Sequence, residues 1–270
     1  MMSQILANYH THTKRCNHAC GEEWEYIENA IQLGMKDFGF ADHTPWYYEG
    51  NHVSTIRMHQ DQLNDYVTVL TKLKKKYASQ INIHIGLEAE YVESKMAWLV
   101  DFASNAGVEY LILGNHFYPS DDPGLVEYDY FGNCDIKGIQ CYIETLDKAL
   151  QTGYFAYLAH PELIMRRYPQ VDEHVINAFE RITDLALKYD IPLEYNLSGY
   201  AFNQRVGKEM YPNGKFWQIA GKKGCKAIIG FDAHDPQFIL DMAPIYLNAQ
   251  NQLSELGCQL VYTIKHTLKK

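Results

Sequence analysis

Seven short, mainly apolar runs punctuate the chain, and each ends in a residue able to bind a metal or a polar substrate. The runs are 5–9, 38–41, 83–87, 111–115, 155–159, 192–195 and 227–231. They lead into His10-Thr11-His12, Asp42-His43, Glu88, His116, His160, Asn196 and Asp232-Ala233-His234. Between them, apolar residues recur three and four positions apart, as in Tyr66, Val69, Leu70 and Leu73. That period predicts helices over 22–33, 60–77, 95–106, 136–151, 172–188, 216–222 and 244–256. Strand–helix alternation implies parallel strands joined by right-handed crossovers. An open sheet would spread its strand ends along a line, and residues from distant runs could not meet. The pattern therefore predicts an α/β protein whose strands form a closed or nearly closed barrel. Two long irregular segments, 44–59 and 118–134, directly follow candidate site positions. Such loops are expected to form the walls or lid of a site.

The size of 270 residues fits a single barrel domain over 1–270. A hydrophobic fraction of 47% supplies a buried core. The formal net charge is -9, and no basic block exceeds Lys74-Lys75-Lys76, which disfavours nucleic acid as a partner. Met1-Met2-Ser3-Gln4-Ile5-Leu6 lacks the basic and apolar regions of a signal peptide. No apolar stretch reaches the ~18 residues of a membrane span. The six scattered cysteines are expected to be free thiols in a reducing cytosol. These readings predict a cytoplasmic protein acting on a small molecule, with no membrane partner and no assignable oligomeric state.

His-x-His alone is a weak signal, although on a strand His10 and His12 point the same way and reach one ion. Number and position strengthen it. His10, His12, His18, His43, Glu88, His116, His160, Asp232 and His234 all lie at or just past a strand end. Barrel enzymes build their sites there. Imidazole mixed with carboxylate suits Zn, Fe or Mn and fits Ca or Mg poorly. Glu90 shares the strand parity of Glu88. Asp42 is expected to orient a ligand rather than bind metal. Cys16 and Cys20 flank His18 as in a zinc knuckle, but no second ligand pair follows. His52, His59, His84, His174 and His266 lie off the strand ends and read as surface or core histidines.

These residues bring the chain to a family. It resembles the PHP (polymerase and histidinol phosphatase) superfamily, and within it the stand-alone histidinol-phosphate phosphatases. The matching stretches are Tyr-His-Thr-His-Thr (9–13) with His18, Ala-Asp-His-Thr-Pro (41–45), Gly-Leu-Glu-Ala-Glu-Tyr (86–91) and Gly-Asn-His-Phe (114–117). Ala-His-Pro-Glu (159–162), Asn-Leu-Ser-Gly (196–199) and Gly-Phe-Asp-Ala-His (230–234) complete them, in family order over nearly the whole chain. The resemblance implies a distorted, TIM-like (β/α)7 barrel with three divalent metal ions. It implies that His10, His12, Glu88 and Asp232 hold the first ion. Glu88, His116 and His160 would hold the second, and His18, His43 and His234 the third. By the same resemblance, Glu88, Asp232, His234 and Asp42 serve catalysis.

The implied reaction is hydrolysis of L-histidinol phosphate in histidine biosynthesis, by a hydroxide bridging two metals. Phosphate also favours guanidinium forks. Arg166 and Arg167 follow the His160 strand end and Arg205 follows the Asn196 strand end, so these three are the expected phosphate contacts. Trp46, Tyr47, Tyr48, Phe117 and Tyr118 are expected near the mouth, where they could hold a cationic substrate. The alternatives are a PHP phosphoesterase for another small ester, an amidohydrolase-type enzyme and a non-catalytic metal-binding protein. Against the amidohydrolase stands a Glu on the third strand in place of a carboxylated Lys.

Overall fold

The computed structural model describes residues 4–268. Strands and helices alternate as β1 (Ala7–Asn8), α1 (Glu23–Gln32), β2 (Asp37–His43), α2 (Leu63–Lys76), β3 (Asn82–Ala89), α3 (Met96–Ala106) and β4 (Tyr110–Leu113). A small ribbon follows, β5 (Phe117–Tyr118) and β6 (Tyr128–Asp129), then α4 (Ile136–Gln151), β7 (Phe155–Leu158), α5 (Glu173–Lys188) and β8 (Leu193–Asn196). The chain continues through α6 (Leu197–Val206), α7 (Gly214–Lys222), β9 (Lys226–Gly230), α8 (Pro236–Leu256) and β10 (Gln259–Leu260). Eight of the strands form one parallel sheet in the order β1-β2-β3-β4-β7-β8-β9-β10.

This sheet curls until its first and seventh strands meet. Thr11 bridges Ala233 in parallel, with His12 N donating to Ala233 O at 2.9 Å and Asp232 N to His10 O at 2.9 Å. The seam closes only at the C-terminal ends of the strands. At the opposite end, β10 extends the sheet beyond β9. Tyr110 fills the space beneath the site: its hydroxyl donates to Tyr9 O (2.8 Å) and Phe40 O (3.1 Å). The ring lies where a side chain at Gly39 or Gly86 would stand, which accounts for both glycines.

The expected fold is present, a distorted TIM-like α/β barrel of seven strands with the short β10 added. Four details differ from the sequence reading. The segment 118–134 carries β6 and the end of β5, an antiparallel ribbon, rather than irregular chain alone. Helix α6 was not expected; its apolar residues do not gather on one face. Its start is capped by Asn196, whose Oδ1 accepts from Gly199 N. Helix α8 begins at Pro236 after an Asp235 cap and runs through Pro244, where the pattern had placed its start. The eighth strand follows the apolar pattern too briefly to stand out. Among the described residues, no helix is long and apolar enough to cross a membrane.

Candidate metal centre

The C-terminal ends of the strands bring all nine expected ligand residues into one region. Glu88, near the end of β3, is its hub. One carboxylate oxygen, Oε1, lies 2.8 Å from His160 Nε2 and 3.1 Å from His116 Nε2. The other, Oε2, lies 3.4 Å from His10 Nε2, 3.5 Å from His12 Nε2 and 3.0 Å from His43 Nδ1. Asp232 Oδ1 stands 3.5 Å from His10 Nε2 and 3.2 Å from His12 Nε2, and these two nitrogens are 3.2 Å apart. His116 Nε2 and His160 Nε2 are 3.3 Å apart. On the outer side, the His234 ring stacks on His12 at 4.1 Å. His18 lies 4.7 Å from His234 and 5.5 Å from His43, ring centre to ring centre.

These separations fit metal coordination. Ligand atoms ~2.1 Å from a tetrahedral ion stand roughly 3.4 Å from one another. His234 Nε2 is also buried without a hydrogen-bond partner. His10, His12 and Glu88 form one group of mutually close donors. His43, Glu88 and His116 form another, and His12, His43 and His234 a third. Cys16, fully buried, joins His18 and His234 in a further group, whereas Cys20 is exposed.

Without a metal, the carboxylates govern the charge state of the histidines. Burial alone would lower His12, but Asp232 and Asp42 push it up to about 9. Burial likewise opposes His116, and Glu88 and Glu90 raise it to about 10. His10 is also held well above the ordinary range, by Glu194, Asp232 and Glu88 against burial. His43 falls to about 4 and His234 to about 3, through burial and then the neighbouring charge of His12. Burial lowers His18 as well, so the centre sets three histidines raised by neighbouring carboxylates against three lowered mainly by burial.

A ring of buried carboxylates sets the histidine tautomers. Glu194 Oε1 lies 2.8 Å from His10 Nδ1, while its Oε2 accepts from His160 N (3.1 Å) and Asn196 Nδ2 (2.9 Å). Asn196 also reaches Asp232 Oδ2 at 3.2 Å. Glu90 Oε1 lies 2.9 Å from His116 Nδ1. Asp42 accepts from Thr13 N, Thr13 Oγ1 and His43 N, and lies 3.5 Å from His12 Nδ1. Partners of this kind fix ring orientation and leave the other nitrogen free for an ion. Asp42 and Glu90 thus stand behind the histidines rather than beside a substrate. Sequence reasoning missed Glu194. Its signal was a lone carboxylate inside an apolar run, sharing strand parity with Asn196.

Two site residues hold unfavourable backbone conformations: His160 has φ 30° and Asp232 φ 50°. For residues with a Cβ the left-handed region is sparsely populated, and such strain gathers at functional sites.

A cavity of about 350 Å³ opens over these residues. Its polar wall includes His18, His43, Glu88, His116, His160, Asp232 and His234. Arg166, Phe131, Tyr211, Leu163 and Ser198 complete the lining. Arg166 is clasped between Phe131 (4.7 Å) and Phe202 (4.4 Å), with Nη1 3.3 Å from the Tyr211 hydroxyl. Arg167 and Arg205 do not line the cavity. Arg167 turns outward and donates to Phe131 O, and Arg205 lies exposed beside Phe202.

The expected aromatic wall lies elsewhere. Trp46 is buried with Nε1 on Glu90 (2.8 Å), and Tyr48 donates to Asp121 (2.7 Å). Tyr47 packs against Trp98. The lining rings are Phe131 and Tyr211 instead. The other histidines lie away from the centre. His59 pairs with Asp61, His52 packs on Tyr48, and His174 is exposed. His84 sits between Asp37 and His266 toward the N-terminal end of β3.

A family model described as the PHP domain matches residues 8–198. A Deinococcus radiodurans protein named "Probable histidinol-phosphatase" is 24% identical over 269 residues, spanning 97% of both chains. The Bacillus subtilis histidinol-phosphatase is 23% identical over 253 residues, covering 83% of this chain and 92% of its own. The crystal structure of Lactococcus lactis histidinol phosphate phosphatase, complexed with Zn, L-histidinol and phosphate, superposes with a TM-score of 0.70. At 17% identity it covers 99% of this chain and all of its own, which shows a shared fold.

Proposed function

The chain belongs to the PHP domain family, and from that membership we propose that it is a metal-dependent phosphomonoesterase hydrolysing L-histidinol phosphate to L-histidinol and phosphate. The observation that carries this reading is Glu88, one buried carboxylate facing two separate histidine sets, with Arg166 on the cavity wall beyond. The relatives' names and the ligands of the Lactococcus lactis enzyme support the substrate.

His10, His12, Glu88 and Asp232 would hold one divalent ion, and Glu88, His116 and His160 a second. His18, His43 and His234 would hold a third, with Zn, Fe or Mn as the metal. When bound, such ions lower the pKa of a water and neutralise charge on the phosphoryl group. The protein's own residues do the rest. Glu194 and Glu90 hold His10 and His116 in the tautomers that ligation requires, and Asp42 places its carboxylate 3.5 Å from His12 Nδ1. Arg166 offers its guanidinium to a phosphate oxygen, its plane steadied by Phe131 and Phe202. No Ser or Cys nucleophile is needed: water supplies the new P–O bond, and the ester oxygen leaves with a proton as the alcohol. Six unpaired cysteines support a cytosolic location, and we propose that residues 1–270 act as one domain.

The test is phosphate release with defined metals, comparing histidinol phosphate with p-nitrophenyl phosphate, phosphoserine and a nucleoside monophosphate. The expected result is a kcat/KM advantage for histidinol phosphate well over about tenfold, since one lost polar contact of about 1.4 kcal/mol already gives that factor. Equal or better turnover of another ester would reassign the substrate.

A further inference from the structure

Arg57 belongs to the loop 44–59, yet it is almost fully buried. Its guanidinium is shared among three chain segments. Nη2 donates to Glu90 Oε1 at 3.0 Å and Nη1 to Glu90 Oε2 at 3.2 Å, a two-pronged grip. Nη1 also donates to Thr44 O (3.0 Å), and Nε donates to Asp121 Oδ2 (3.0 Å). Thr44 begins Arg57's own loop, and Asp121 lies in the other loop, 118–134. Glu90 Oε1, held by Arg57, is the atom that meets His116 Nδ1 at 2.9 Å. The second loop in turn lays Phe131 on the His116 ring, 5.3 Å away and 22° from parallel. The same Phe131 also faces Arg166.

We infer that Arg57 is a positioning residue that fastens the loops 44–59 and 118–134 to His116, so that metal binding at His116 and ordering of the loops are coupled. This rests on the metal reading above. A cation held by His116 would make its Nδ1–H a stronger donor toward Glu90. Glu90 cannot move without the fork that holds it, and the fork also holds Asp121 and Thr44. Only a planar, five-donor group fits this role, so a lysine is no substitute.

The test uses the full chain, zinc-stripped and zinc-loaded, with zinc affinity by titration and hydrogen exchange by mass spectrometry. In the wild type, zinc slows exchange across 118–134. Arg57→Met weakens zinc binding about 10- to 100-fold, the usual cost of losing a ligand's supporting partner, and abolishes that slowing. Arg57→Lys does not restore either property. Asp121→Ala cuts only the loop limb, so zinc affinity stays near wild type while the slowing is lost. An Arg57→Met chain with wild-type affinity and wild-type slowing overturns the coupling and leaves the phosphatase reading standing. If Arg57→Met does not fold, unchanged slowing in Asp121→Ala overturns it instead. A wild-type chain that holds no zinc overturns both.

Discussion

Gly114 and Glu88 occupy adjoining space so closely that a Cβ on Gly114 would overlap the Glu88 carboxylate. The glycine is therefore part of the centre, though it has no side chain to contribute. Gly114→Ala is expected to push Glu88 aside and to lose metal much as Glu88→Gln does. Both should fall at least about 100-fold in turnover, beyond the loss typical of a supporting residue. Metal content by elemental analysis checks this. A Gly114→Ala chain with full metal and wild-type rate would show that Glu88 has room to spare.

Glu194 supports two histidines at once, through His10 Nδ1 and His160 N. Glu194→Gln keeps the shape but removes the charge that fixes His10. Metal affinity should drop roughly 10- to 100-fold while the circular dichroism spectrum stays native. Unchanged affinity would mean that His10 is oriented by packing alone.

The raised histidines give the metal-free chain a defined pH response. His12 at about 9 and His116 at about 10 exceed the ordinary value of ~6.5, so their contribution to stability is complete below pH ~6.5. It is lost as the pH climbs through 9 and 10. Ligation needs neutral imidazole, so metal uptake at pH 7.5 must expel protons, and apparent affinity must rise with pH across this window. Calorimetric titration in two buffers of different ionisation enthalpy counts those protons. A count of zero would contradict the charge assignment.

Arg166 is the one expected phosphate contact that lines the cavity. Losing a charge-assisted hydrogen bond of about 1.5–3 kcal/mol lowers kcat/KM about 10- to 150-fold. Arg166→Ala should lose that much with metal content intact, and exposed Arg205→Ala should behave as wild type. Steady-state kinetics on both variants decides it. The assignment is lost if Arg205→Ala is the impaired one.

Much of this architecture was legible because a parallel barrel writes itself plainly. Strands covered on both faces need unbroken apolar runs, and a site at their ends places its ligands immediately after each run. His116 and His160 could be placed in this way before any coordinates. What was hidden depends on contacts far apart in the chain. Arg57 sits 33 positions from Glu90, in a loop whose composition gives no hint that one arginine turns inward. Helix α6 lacked a one-sided apolar stripe, and its cap is a strand residue doing a second job. Pro244 read as a helix start because proline is favoured there, although it sits exposed in the middle of α8, whose buried face includes Met242, Ala243 and Tyr246. The aromatic wall was expected from Trp46, Tyr47, Tyr48, Phe117 and Tyr118, which follow His43 and His116, whereas the ring lining the cavity is Phe131, just past β6.

The seam between Thr11 and Ala233 has a consequence for the order in which the molecule is made. His10 and His12 leave the ribosome long before Asp232 and His234, yet the four meet across that seam. A nascent chain holding only the early histidines offers an ion two imidazoles and no enclosing shell. The full shell appears once most of the polypeptide has been threaded into the barrel. An ion held by these four residues would act as a clasp between β1 and β9, two strands made far apart in time.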